Sequence, residues 1–148
     1  MSGPLGPIVR ECVEAYVFVA PPLSLLILRR PPDRGSIWVP VSGKVEPTDT
    51  DYEAAVRREL AEETGLAHPR RVDPLDWHVP FVAPNGETWR LHAYAVEAPA
   101  RFTPTLSDEH DAFAWLAPDE AVARLHFPDN RAAVERLVAS EARRPGTL

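Results

Sequence analysis

Two hydrophobic periods alternate along the chain. Ile8 to Val19 carries β-branched and aromatic residues in imperfect alternation, which predicts a strand. Pro21-Pro22 marks a turn, and the apolar run Leu23 to Leu28 predicts a buried strand, so the two make a hairpin. Pro31-Pro32-Asp33-Arg34-Gly35 is a loop by its turn residues. Ile37 to Val41 is a short strand around Trp38, and Ser42-Gly43 opens a polar loop ending near Asp51. The period then becomes helical. Tyr52 to Glu63 places Ala54, Ala55, Val56 and Leu60 at helical spacing, with Thr50 or Asp51 as cap and Gly65 as stop. Val72 to Ala83 and Thr88 to Val96 read as strands joined at Asn85-Gly86, a hairpin turn with positive φ at both positions. A Pro-containing loop, Ala98 to Asp111, leads to a short strand, Ala112 to Leu116, and to a helix started by Pro118 over Asp119 to Leu125. A last helix, Asn130 to Arg143, is expected to be capped by Asp129 and to turn Ala133, Leu137 and Val138 inward, with Pro145 to Leu148 fraying.

With no internal repeat and no linker, 148 residues predict one domain, 1–148. Mixed strands with an internal helix and a helical C-terminal end predict an α/β sandwich. The chain is 45% hydrophobic and 26% charged, a globular balance that argues against disorder. Its 16 basic against 22 acidic residues leave a net charge of −6, which disfavours a nucleic-acid coat protein. An acidic protein that acts on phosphates needs a local cation to invert its field. Cys12 is the single cysteine, so there is no internal disulfide and no cysteine-based zinc site. Met1 to Arg10 lacks signal-peptide design, and the longest apolar stretch, Tyr16 to Leu28, is too short and too interrupted to span a bilayer. The chain is therefore read as soluble and cytoplasmic, with neither a membrane nor a stable nucleic-acid partner.

The segment richest in chemistry is Arg57-Arg58-Glu59-Leu60-Ala61-Glu62-Glu63-Thr64-Gly65-Leu66. On a helix, Glu59, Glu62 and Glu63 share one face at i, i+3, i+4, where like charges repel. Glu62 and Glu63 also sit near the C-terminus, where the helix dipole disfavours anions. A hard cation joining them would give that crowding a purpose, and oxygen-only ligands favour Mg²⁺ or Mn²⁺ over zinc.

With Gly43 upstream, this segment resembles the Nudix box, G-x5-E-x7-R-E-U-x-E-E-x-G-U with U aliphatic; here the box spans about 43–66. Its second half matches at every defined position, from Arg58 and Glu59 to Gly65 and Leu66. Two departures stand out. The spacing from Gly43 to Arg58 is one residue longer than usual, and Asp49 stands where the family carries Glu, with Asp51 as the other candidate. The resemblance implies a Nudix-type α/β/α sandwich with a mixed sheet and a loop-helix-loop metal site. It implies Mg²⁺, with Mn²⁺ as substitute, held by Glu59, Glu63, Glu62 and the Gly43 carbonyl. Arg58 would orient Glu59, and Glu62 would bind metal or orient water. Asp108-Glu109-His110 resembles a Glu-His motif of several subfamilies, in which Glu109 supplies a further metal contact or the general base. The implied reaction is hydrolysis of a phosphoanhydride in a small-molecule polyphosphate.

Trp115-Leu116 and the Asn130 to Val138 stretch, with the Trp38 to Gly43 entry, are similar to dihydroneopterin triphosphate pyrophosphatases. Dinucleoside tetraphosphate hydrolases share a comparable run. A (d)NTP or ADP-ribose pyrophosphatase and a non-catalytic Nudix-fold regulatory module are the alternatives, and a homodimer is left open. Candidate substrate contacts are Trp38, Lys44 and Arg90, with Arg101 a further cation. Trp77, Phe81, Trp89, Tyr94 and Trp115 could also stack on a base, although most of these rings lie in strand-like runs expected in the core. His78, His92 and His126 are read as structural, and His110 as a neighbour rather than a ligand.

Overall fold

In the computed structural model, which describes residues 5–144, β1 (Ile8–Val19) is the axis of a mixed sheet. The predicted fraying tail, Pro145 to Leu148, and residues 1–4 of the Gly/Pro-rich start lie outside the described residues. From Cys12 to Phe18 every residue of β1 is buried, because both faces of the strand are covered. Tyr16 and Phe18 enter one core cluster, while Val13, Ala15 and Val17 enter the other. That double coverage is why the alternation in sequence is imperfect.

One edge of β1 pairs in parallel along β6 (Thr88–Glu97), which pairs antiparallel with β5 (Arg71–Val82). The other edge is shared. β2 (Ser24–Arg29) holds only Val17 to Val19, and β4 (Val41–Lys44) takes Cys12 to Ala15. β1 and β2 thus splay into a fork, which residues 38–44 fill. β3 (Trp38–Val39) pairs with Leu28 and Arg29 of β2, and the chain crosses to β1 at Pro40, a residue with no N–H to donate. β7 (Ala112–Leu116) lines the far edge of β2. Ser42 and Gly43, expected to begin a loop, are instead in β4 opposite Glu14 and Val13. Their turn-like composition yields to ladder pairing with a buried central strand.

α1 (Tyr52–Thr64) covers one face through Ala55, Val56 and Leu60. Asp51 is its cap, accepting the Ala54 N–H at 2.7 Å, and Gly65 ends it at φ 81°. α2 (Pro118–Arg124) and α3 (Pro128–Ala142) cover the other face through Ala121, Ala133, Val134 and Leu137. Asp129 does not cap α3. Pro128 opens the helix after Phe127, and Asp129 is in its first turn, because proline's fixed φ suits the first helical position. In the β5–β6 turn only Gly86 takes positive φ (87°). Asn85 instead accepts the Glu87 N–H at 3.0 Å, a local side-chain turn that removes the need for a second left-handed residue. Arg71 fastens β5 to β6 and α3, donating to Glu97 at 2.8 Å and to Glu141 at 2.7 Å. Among the described residues no helix is long and apolar enough to cross a membrane.

Candidate active site

α1 lies against the β4 limb of the fork, and the closeness of that contact fixes a residue type. A Cβ at Gly43 would overlap the carboxyl group of Glu59, so the bare glycine is the seat on which that carboxylate rests. Arg58 holds it from the other side, Nη1 donating to Glu59 Oε1 at 2.8 Å. The same guanidinium grips Asp49 with two bonds, Nε to Oδ1 at 3.0 Å and Nη2 to Oδ2 at 2.9 Å, and reaches the Lys44 carbonyl at 2.9 Å. These charge-assisted bonds keep the Asp49 carboxyl below its ordinary range. Asp49 in turn accepts the Glu46 N–H at 2.8 Å, so the residue at the altered position organises the lengthened loop around Arg58. Asp51 has the separate task of capping α1.

Glu63 is the electrostatic anomaly. It is 1% exposed, and its Oε2 has no hydrogen-bond partner among the described residues. Burial first, then contact with the Glu59 carboxyl and the charges of Glu109 and Glu62, pushes its pKa far above the usual carboxylate range. His110 offers no relief. Its Nδ1 stands 3.5 Å from Glu63 Oε1 without forming a bond, and burial, then Arg30 and Arg34, pushes its pKa down to about 4. Glu62 is half-exposed and touches Arg58 at 3.3 Å, and Glu109 is exposed with Arg34 3.8 Å away. Among the described residues no three acidic, His or Cys side chains already converge as an ion cage. The donor set still fits a hard cation: a buried carboxylate pair, one oxygen unpartnered, on a seat only glycine allows.

These groups line a cleft of about 600 Å³, within the range of small-molecule sites. Glu59, Glu62, Glu63, Glu109, Arg58, Gly43 and Lys44 all border it, so the topology joins residues from β4, α1 and the loop before β7. Phe81 and Trp89 add an aromatic wall, with Lys44 Nζ 4.9 Å and Arg10 Cζ 5.5 Å from the Trp89 ring centre. Trp38 is not among the lining residues. Its ring packs on the core beneath Arg29 and Arg124. Arg90 is also outside, held bidentately by Glu11 at 2.9 and 2.8 Å, and Arg101 bonds Ser24. Trp77, Tyr94 and Trp115 pack against the core clusters, and buried His92 is bonded to Glu11 and His78. Sequence reasoning missed Arg30, Arg34, Glu14 and Asn130, all bordering the cleft. Strand parity could have found Glu14, which shares the face of Arg10 and Cys12.

With this geometry in place, comparison with known proteins is decisive: a family model, the NUDIX domain, matches residues 12–137. The chain belongs to the NUDIX family. Among curated relatives, a CTP pyrophosphohydrolase of Escherichia coli is 32% identical over 133 residues, 82% of this chain and 87% of that protein. An octanoyltransferase of Myxococcus xanthus is 37% identical over 122 residues, 80% of this chain, and the chain spans about a third of its length. The Nudix fold superposes on the E. coli dihydroneopterin triphosphate pyrophosphohydrolase with a TM-score of 0.76 at 22% identity, covering 90% of this chain and 99% of that one. An Ap4A hydrolase of C. elegans gives 0.75 at 18% identity, covering 90% and 98%.

Proposed function

We propose that this Nudix chain is a divalent-metal-dependent pyrophosphohydrolase, using Mg²⁺ with Mn²⁺ as substitute, that cleaves a phosphoanhydride bond in a nucleoside- or pterin-type polyphosphate. One observation carries the reading: Glu63, buried and with one oxygen missing a partner among the described residues, lies against Glu59 in a cleft that Arg30 and Lys44 also border. Glu59 and Glu63 would hold the cation, with Glu62 as a further ligand. When bound there, the cation supplies Lewis acidity and a template for phosphate oxygens. The chain's own residues do the rest. Arg58 fixes Glu59 through Asp49 and the Lys44 carbonyl, so the ligand does not reorganise on binding. Glu109, restrained only by a 3.8 Å contact with Arg34, swings in to take the proton of the attacking water. Arg30 and Lys44, which form no ion pair among the described residues, receive outer phosphates as the P–O bond breaks. Names carried by relatives, CTP pyrophosphohydrolase among them, support a nucleotide-type substrate.

The test is product-resolved hydrolysis of nucleoside triphosphates, dihydroneopterin triphosphate, diadenosine tetraphosphate and ADP-ribose with Mg²⁺. Turnover of at least one, abolished by chelator and restored by Mg²⁺, is expected. Absence of turnover across the set, or turnover indifferent to chelator, overturns the proposal.

A further inference from the structure

Two loops at the cleft border are pinned along the backbone, and each leaves one charged side chain loose. Between β2 and β3 the chain passes through Pro31 and a short 3₁₀ turn, Pro32–Arg34. The prolines fix their own φ, and the Arg34 and Gly35 N–H groups donate to the Pro31 and Pro32 carbonyls at 2.8 and 3.2 Å. The Arg30 N–H donates to the Ile37 carbonyl at 2.9 Å and shuts the turn. Before β7, the Glu109 N–H donates to the Ser107 hydroxyl at 3.3 Å. Asp111 is tied to Arg29 twice, through its own N–H to the Arg29 carbonyl at 2.9 Å and through its carboxylate to Arg29 Nε at 2.9 Å. From these two anchored stretches the Arg34 and Glu109 side chains, each about half exposed, meet at 3.8 Å. Both border the cleft. A contact this long and this wet is weak, and side-chain rotation alone opens it.

Electrostatics explains why Glu109 rests on Arg34. Its charge acts on Glu63 together with those of Glu59 and Glu62, so the carboxylates of α1 repel it. Arg34 is the one cation within ion-pair distance of Glu109 among the described residues. A polyphosphate in the cleft changes the balance. Phosphate oxygens match the guanidinium fork in two parallel bonds, which one carboxylate oxygen at 3.8 Å does not. We propose that Arg34 is a substrate-sensing latch, which holds the Glu109 carboxylate in the empty cleft and exchanges it for a phosphate group of the substrate, releasing Glu109 when the polyphosphate binds. Arg34 thus positions Glu109 rather than joining the chemistry. The proposal rests on the pyrophosphohydrolase reading and adds what keeps its base in reserve.

The test is a double-mutant cycle on the full chain, read by calorimetry with Mn²⁺ and no substrate. Arg34→Gln frees Glu109, whose whole charge then acts on the carboxylate site. Mn²⁺ should bind about two- to fivefold more tightly, the range set by an exposed ion pair. Loss of a nearby cation raises Mn²⁺ affinity by itself, and the Glu109→Gln background measures that share. There the gain from Arg34→Gln should largely disappear. In a second arm, pyrophosphate with Mg²⁺ should bind Arg34→Gln about tenfold more weakly, because a charge-assisted contact is lost. The same ligand should bind Glu109→Gln more tightly, since Arg34 is then unoccupied. A merely structural role would weaken both ligands together. An equal Mn²⁺ gain in both backgrounds, no gain at all, or pyrophosphate binding indifferent to Arg34→Gln overturns the proposal. Absence of Mn²⁺ binding by the wild type overturns the pyrophosphohydrolase reading as well, so the two failures are told apart.

Discussion

Replacing Gly43 with alanine adds one carbon where the Glu59 carboxyl group already sits. Ordinary carbon contacts lie at ~3.5–4.0 Å, so the carboxylate must retreat by at least about 1 Å. It has little room to do so, being 8% exposed and held at 2.8 Å by Arg58. Overpacking of this kind costs about 1–3 kcal/mol of stability. The functional loss should be larger in proportion, because a displacement of about 1 Å at a reacting centre can cost ~10²-fold in rate. The assay pairs thermal unfolding with Mg²⁺-dependent phosphate or pyrophosphate release. Gly86→Ala is the control. A Cβ there meets nothing within 4 Å, so only the strain of φ 87° acts, and kcat/KM should hold while stability falls by about 1 kcal/mol. A Gly43→Ala protein that folds and keeps kcat/KM within about twofold would refute the idea that this glycine seats a working carboxylate.

Other expectations follow from the same contacts. Arg58→Lys keeps the charge but loses the paired bonds to Asp49 and the reach to Glu59, so kcat should drop by about ten- to a hundredfold in steady-state assays. Arg71→Met leaves buried Glu141 and Glu97 only their longer contacts with Arg144 at 3.8 Å and Arg70 at 3.6 Å; urea unfolding should report a loss of about 3 kcal/mol. Glu14 titrates at about 7 when folded, against 4.5 ordinarily, so the native state holds the extra proton. The stability this contributes is complete below about pH 4.5 and fades as pH rises through about 7. Between pH 5 and 8, wild-type protein should lose about 2–3 kcal/mol more than Glu14→Gln in urea titrations. Equal losses would show that Glu14 does not carry the difference.

The metal helix was legible because its signals are local. Helical spacing, an Asp cap, a Gly stop and three glutamates on one face all lie within fifteen residues, Asp51 to Gly65, and each holds in the structure. What escaped depends on register and on contacts far apart in sequence. Arg90 and Trp89 are neighbours on β6, yet Trp89 faces the cleft and Arg90 faces Glu11, since successive strand residues point to opposite faces. The sequence offers both residues as candidates, and only the register separates the two faces. Trp38 stands only five residues before Gly43, but the crossing at Pro40 moves it to the other limb of the fork, onto the core. Ser42-Gly43 has turn composition and is nevertheless a strand, because β1 supplies the ladder. Asn130 meets Glu14 across 116 residues, a pairing no local pattern announces.

Mn²⁺ binding to the wild-type protein and to Glu63→Gln, followed by calorimetry with unfolding checked in parallel, bears most directly on the buried carboxylate pair. The expected result is one saturable site in the wild type that weakens at least tenfold when a neutral amide replaces the anion, with the fold retained. Equal affinity in the two proteins, or no binding by a wild type that still cleaves polyphosphates, would contradict the account.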